Sequence, residues 1–252
     1  MWFKIILVLA ASSALVSCRL SPRDTPAKAY LPPVVTPAFV PFAAPISQMQ
    51  RMLAQARGLD PTVLQLALES QRCAVERGLA KASRRMAVID YSLPSTQTRM
   101  WVFDLSDAKL LFAEHVAHGK NSGENMATRF SNAEGSLQSS LGLFTAAETY
   151  DGENGYSLRM DGLEPGVNDR ARERLLVIHG ADYVNPQQAT RQGRLGRSWG
   201  CPALRRAVAH QVIDSLKGGQ TVFAYYPDSQ WLGGSRFLGC NASGALAATL
   251  AR

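Results

Sequence analysis

Cysteine is scarce in this chain, four in 252 residues, and no internal repeat or block of like charge is evident. Long apolar runs are scarce as well. The stretch from Ile5 to Val16 falls well short of the roughly 20 residues that carry a helix across a bilayer, which argues against a spanning segment there. Few cysteines leave a disulfide framework thinly supported. The net charge of +7 is spread along the sequence. Such a surface suits work against an anionic polymer, and equally a solvated surface with no specific partner.

What is present begins with an export signal: Lys4, the apolar run, then small residues leading to a cysteine. Leu15-Val16-Ser17-Cys18 resembles a bacterial lipobox, which implies that Cys18 becomes the acylated first residue of the mature chain. Ordinary cleavage near Ser17, leaving a free thiol, is the alternative. Arg19 stands where, by the same resemblance, an aspartate holds lipoproteins at the inner membrane, so a periplasmic protein anchored to the outer membrane is expected. Nucleic acid is a poor partner for an exported chain. Pro22, Pro26, Pro32, Pro33, Pro37, Pro41 and Pro45 forbid a regular helix or central strand. The chain therefore divides into a signal peptide (1–17), a lipid-anchored tether (18–45), a helical segment (46–84), a catalytic domain (85–230) and a C-terminal tail (231–252), with a monomer expected.

In the helical segment Ile46, Met49, Met52, Leu53 and Ala56 recur at helical intervals, as do Val63, Leu64, Leu66, Ala67 and Cys73. Asp60 before Pro61 reads as an N-cap with proline at the first helical position. From Met86 the period changes to two, predicting a meander of strands over 86–92, 99–105 and 110–116, with further strands at 142–146, 175–179 and 221–226. Residues 202–217 read as a short helix closing at Gly218.

Chemistry concentrates in Leu175-Leu176-Val177-Ile178-His179-Gly180 and, further on, Gly196-Arg197-Ser198-Trp199-Gly200-Cys201-Pro202-Ala203-Leu204. A hydrophobic strand ending in His-Gly delivers an imidazole from a rigid element, and a neighbouring imidazole that takes the proton of a thiol makes a competent nucleophile. Gly200 leaves room for a substrate carbonyl beside the backbone. A helix begun at Pro202 would favour the thiolate through its dipole, and the amides around Gly200 and Cys201 would stabilise an oxyanion.

These residues resemble the murein L,D-transpeptidase catalytic domain (YkuD-like) family, whose signature is a histidine followed by Ser/Thr-x-Gly-Cys. Residues 89–95, 116–123, 130–132, 139–142, 152–155 and 163–169 extend the likeness, over roughly Met86 to Tyr226, to a branch with a Ser-Trp-Gly-Cys-Pro-Ala-Leu motif. The resemblance implies a mainly β fold, sandwich-like or barrel-like, with short helices. It also implies that Cys201 is the nucleophile and His179 the base. The reaction implied is thioacylation of Cys201 by a peptidoglycan tetrapeptide stem, with loss of a terminal D-alanine and transfer to an amine. Water as acceptor gives an L,D-carboxypeptidase, and a non-catalytic peptidoglycan-binding lipoprotein is a further alternative. No metal or organic cofactor is implied. The commoner motif has histidine at the position of Trp199 and an Ile-Arg or Val-Arg pair in place of Pro202-Ala203, which leaves Arg197 and Arg205 as candidates to hold a substrate carboxylate.

Ser198 either polarises the site and binds substrate or hydrogen-bonds its own turn. Trp199 and Tyr183 either form a wall for the peptide stem or pack. His115 and His118 have a metal-like spacing, but positions three apart on a strand face opposite ways, so His118 is read instead as support behind the site. His210 is read as a helix surface residue. With Cys18 and Cys201 assigned elsewhere, Cys73 and Cys240 are left to pair or to remain a buried and a partly exposed thiol.

Overall fold

A computed structural model describes residues 47–238 and Cys240. The signal peptide, Cys18 and the proline tether lie outside the described residues. No described helix is long and apolar enough to cross a membrane.

Two helices open the described region. In α1 (Gln48–Gln55) the Ser47 hydroxyl accepts from the Gln50 amide while the Gln50 side chain accepts from the Ser47 amide, a reciprocal capping box. In α2 (Pro61–Glu76) Asp60 caps and Pro61 occupies the first turn, as its sequence predicts. Both helices bury one face in the main core. Met52 of α1 and Val63, Leu64, Leu66 and Ala67 of α2 pack in one cluster with the strands, so the helical segment shares the hydrophobic core of the catalytic region. Gln55 fastens α1 to a strand turn, donating to the Ala108 carbonyl at 2.7 Å and accepting from the Leu110 amide at 3.1 Å. A disulfide joins Cys73 of α2 to Cys240, which settles that open pairing.

Eight strands follow: β1 (Arg85–Asp90), β2 (Met100–Asp104), β3 (Lys109–Glu114), β4 (Gly142–Gly152), β5 (Gly155–Gly162), β6 (Val177–Gly180), β7 (Ala203–Leu204) and β8 (Gln220–Tyr225). Their order across one sheet is β3-β2-β1-β8-β4-β5-β6-β7. The sheet curls into a nearly closed barrel, because Ala117, just beyond β3, bridges to Ala203 of β7 at the far edge. Trp101, Phe103, Phe144 and Phe223 are buried with Met86 and Ile89 in its core. Truncating one such aromatic to alanine costs about 3–5 kcal/mol.

Three smaller helices complete the fold: α3 (Pro186–Gln192), α4 (Arg206–Leu216) and α5 (Ser229–Gly234). The helix expected from residue 202 starts four residues later. Ala203 and Leu204 are taken instead by parallel pairing with His179 and Gly180, so Cys201 precedes a strand and no helix dipole reaches it. The expected tail is also partly core, since Trp231, Leu232, Phe237 and Leu238 are buried. Glu164 holds α5 down, its carboxylate accepting from the Trp231 indole at 3.2 Å and the Ser235 hydroxyl at 2.5 Å.

Candidate active site

His179 lies on β6 and pairs in register with Ala203, two residues after Cys201. The imidazole and the thiol are thereby carried on adjoining segments. The Nδ1 atom of His179 lies 3.2 Å from the Gly180 carbonyl oxygen. A carbonyl only accepts, so Nδ1 carries the ring proton and Nε2 keeps its lone pair free for a base's work. A backbone oxygen is thus the orienter of the histidine, a partner with no side-chain signature. Burial, reinforced by the charge of Arg206, holds the imidazole below its ordinary value, so it is neutral at pH 7.

Cys201 is partly exposed and is the free cysteine among the described residues. Its Sγ–H donates to the Leu175 carbonyl at 3.6 Å. Burial pushes the thiol above its ordinary value, while the Val177 N–H and the charge of Arg174 oppose that rise. Leu175 is held at φ 54°, a left-handed conformation that is costly for a leucine and tends to collect at functional sites.

The loop that carries Cys201 is tied at several points. The Ser198 hydroxyl donates to the Cys201 carbonyl at 2.6 Å and accepts from the Gly200 amide at 3.1 Å, so it closes the turn on itself. The Gly200 amide, expected as an oxyanion donor, is therefore already engaged. Its carbonyl accepts from Ser139 at 2.9 Å. Glycine is required there for shape: φ is 129°, and a Cβ would lie 2.9 Å from the Gln138 carbonyl oxygen. The Ser198 amide and carbonyl bond to the His118 carbonyl and Lys120 amide, laying the loop along residues 118–120.

Behind that strip, the buried Arg99 donates twice to the Val116 carbonyl, once to Leu93, and to Nδ1 of His118 at 2.7 Å. His118 Nε2–H then faces the Gly123 carbonyl at 3.3 Å. Burial first, then Arg99, drive the His118 imidazole down to about 3, so it is a neutral bridge. His115 turns to the Thr96 carbonyl instead, away from any shared ligand set.

The other expected site residues separate. Trp199 is 74% exposed on the loop beside Cys201, with Leu175 at 64%. Tyr183 is half-buried, packs where Gly196 has no Cβ, and is raised above its ordinary value by burial and then by the Cys201 charge. Arg197 is engaged within the protein. It donates to the carbonyls of Lys120 and Gly123 and to Glu124 at 2.7 Å, pinning the neighbouring loop. Arg205 is likewise held by a two-point contact with Glu114 at 2.9 and 2.7 Å. Both candidate carboxylate-binding arginines thus already pair with a glutamate, Glu124 and Glu114. His210 stacks on Tyr156 at the surface of α4, with ring centroids 4.3 Å apart.

The family model of the L,D-transpeptidase catalytic domain matches residues 55–225. The chain belongs to this family. No curated protein matches it significantly. Among solved structures similar to this L,D-transpeptidase-family chain is an L,D-transpeptidase from Mycobacterium smegmatis, 16% identical, with 57% of this chain and 60% of that one covered and a TM-score of 0.36. Another is the helical cell shape determining protein Pgp2 from Campylobacter jejuni, 12% identical over 74% and 61% of the two chains, TM-score 0.40. An Enterococcus faecium L,D-transpeptidase is 15% identical over 58% and 51%, TM-score 0.35. This chain thus spans less than two thirds of the length of these proteins.

Proposed function

We propose that the protein is a peptidoglycan L,D-transpeptidase with Cys201 as nucleophile and His179 as general base. The observation that carries the reading is the His179 tautomer: Nδ1–H on the Gly180 carbonyl, Nε2 free, on a strand paired beside the Cys201 segment. Nε2 removes the thiol proton as sulfur attacks the carbonyl of the diamino acid in a tetrapeptide stem. It returns that proton to the departing D-alanine amine, leaving a thioester on Cys201. An acceptor amine from a second stem then loses a proton to Nε2 and takes the acyl group. The C–S bond breaks as the amine adds, the Val177 N–H, which favours the thiolate, supports the leaving sulfur, and Nε2 returns the proton to it.

In this reading Ser198 and Gly200 shape the loop, while Trp199 and Leu175 present an apolar rim to the stem. The Cys73–Cys240 disulfide supports an oxidising compartment, and with the export signal and lipobox it favours a periplasmic enzyme anchored through Cys18.

Incubation with defined disaccharide tetrapeptides, read by mass spectrometry, tests the proposal. A thioacyl adduct on the Cys201 peptide with dimeric products is expected. Loss of D-alanine without dimers assigns carboxypeptidase activity instead, and no adduct on a protein that binds sacculi leaves a binding module.

A further inference from the structure

Three arginines alternate through the segment that leads into β6. Arg170 pairs with Glu173 and Glu134, and Arg172 with Glu148 and Asp161. Arg174 differs from both. Its Nη1 donates to the Ser131 carbonyl at 2.6 Å and the Ser140 hydroxyl at 2.5 Å. Its Nη2 donates to the Ser136 hydroxyl at 3.0 Å and the Gln138 carbonyl at 2.7 Å. All four acceptors are neutral, and the buried Nε has no hydrogen-bond partner among the described residues. A half-buried guanidinium without a carboxylate is costly unless an anion forms nearby.

The surroundings say which anion. Leu175, the next residue, receives the Cys201 thiol on its carbonyl, and the Gln138 carbonyl held by Nη2 is the atom that packs against Gly200. The guanidinium therefore holds the 131–140 segment, which backs Gly200, while the backbone next to it carries the carbonyl that receives the thiol. Its charge and the Cys201 charge also act on each other, Arg174 lowering the thiol and the thiolate raising the guanidinium.

We propose that Arg174 is a positioning residue that supplies the counter-charge to the Cys201 thiolate and clamps the segment that backs the loop carrying it. The proposal rests on Cys201 being the nucleophile. Its main readout, alkylation of the thiol, needs no substrate, so it can fail or succeed independently of the transpeptidase reading.

The experiment is iodoacetamide alkylation of the full chain over a pH series, following the Cys201 peptide by mass spectrometry, for wild type, Arg174→Gln and Arg174→Lys. Circular dichroism checks the fold. In Arg174→Gln the thiol should titrate at higher pH, with alkylation at pH 7 slowed about tenfold for each unit of displacement. Arg174→Lys keeps a charge and should alkylate within about twofold of wild type. Alkylation of a folded Arg174→Gln indistinguishable from wild type overturns the proposal. So does weakened sacculus binding with an unmoved thiol, which makes Arg174 a substrate contact. If Arg174→Gln does not fold, Arg174→Lys decides: a thiol displaced despite the retained charge overturns the proposal, and an unmoved thiol upholds it.

Discussion

The Cys201 thiol donates to the Leu175 carbonyl at 3.6 Å and not to the His179 ring. In the free protein the pair is therefore a neutral thiol beside a neutral imidazole, and not a preformed ion pair. Environment agrees with geometry, since burial lowers the histidine and raises the cysteine. In the proposed mechanism, proton transfer belongs to the moment of attack, when a substrate carbonyl displaces the thiol from Leu175.

The pH dependence follows directly. Between the lowered imidazole and the raised thiol the reactive neutral pair predominates, so kcat/KM should form a broad plateau. Activity falls on the acid side as His179 gains a proton, and on the alkaline side as the proton needed by the leaving amine is lost. Arg206 depresses His179, so Arg206→Gln should move the acid limb to higher pH. An acid limb that stays in place removes Arg206 from the electrostatics of the base.

Cys201→Ala should abolish thioester formation while leaving thermal melting and sacculus binding intact. His179→Gln should lower kcat by about 10²–10⁴-fold. Steady-state rates with a defined tetrapeptide measure both, and full activity in either variant removes that residue from the chemistry.

Ser198→Ala leaves the Gly200 amide without its partner and frees the Cys201 carbonyl. Loss of such a buried contact costs about 1–3 kcal/mol, so kcat should fall roughly tenfold or somewhat more without vanishing. Complete inactivity with an intact fold would assign the hydroxyl a direct part in the reaction.

His118 sets a stability window. Its folded value of about 3 lies far below that of an unfolded imidazole. The unfolded chain therefore binds the extra proton first, and the stability held at neutral pH drains away as pH falls from near 6.5 toward 3. Urea melts at stepped pH should show this decline, and His118→Gln should flatten it. An equally steep decline in the variant places the acid sensitivity elsewhere.

The sequence separation of 167 between Cys73 and Cys240 makes their bridge a long-range tie. Reduction, or Cys73→Ala, should lower stability by about 2–5 kcal/mol while Cys201 alkylation continues unchanged. Coincident melting of oxidised and reduced protein would deny the tie any stabilising role.

Much of this was legible before any coordinates. β1, β2 and β8 carry dense β-branched and aromatic runs, and α2 announces itself through Asp60-Pro61. The missing parts share one physical cause: they are defined by partners distant in sequence. β7 is two residues long and exists only because His179 and Gly180 lie beside it. The bonds of Arg197 to Glu124 and to two carbonyls of the neighbouring loop join residues more than seventy positions apart. Arg174 belongs to no motif, and its distinction appears only when the acids that pair with Arg170 and Arg172 are placed. Gly180 supplies its histidine contact through a backbone oxygen, which no side chain signals.

The parallel pairing of β1 with β8 also fixes when this molecule can become an enzyme. Those two strands sit at the middle of the sheet, yet one closes the helical preface and the other comes after every site residue. Such non-local closure is slow. A chain halted short of residue 220 holds His179 and Cys201 but leaves β1 and β4 with bare edges where β8 should join them. The sheet that seats His179 and Cys201 is thus incomplete until nearly the whole domain has been synthesised.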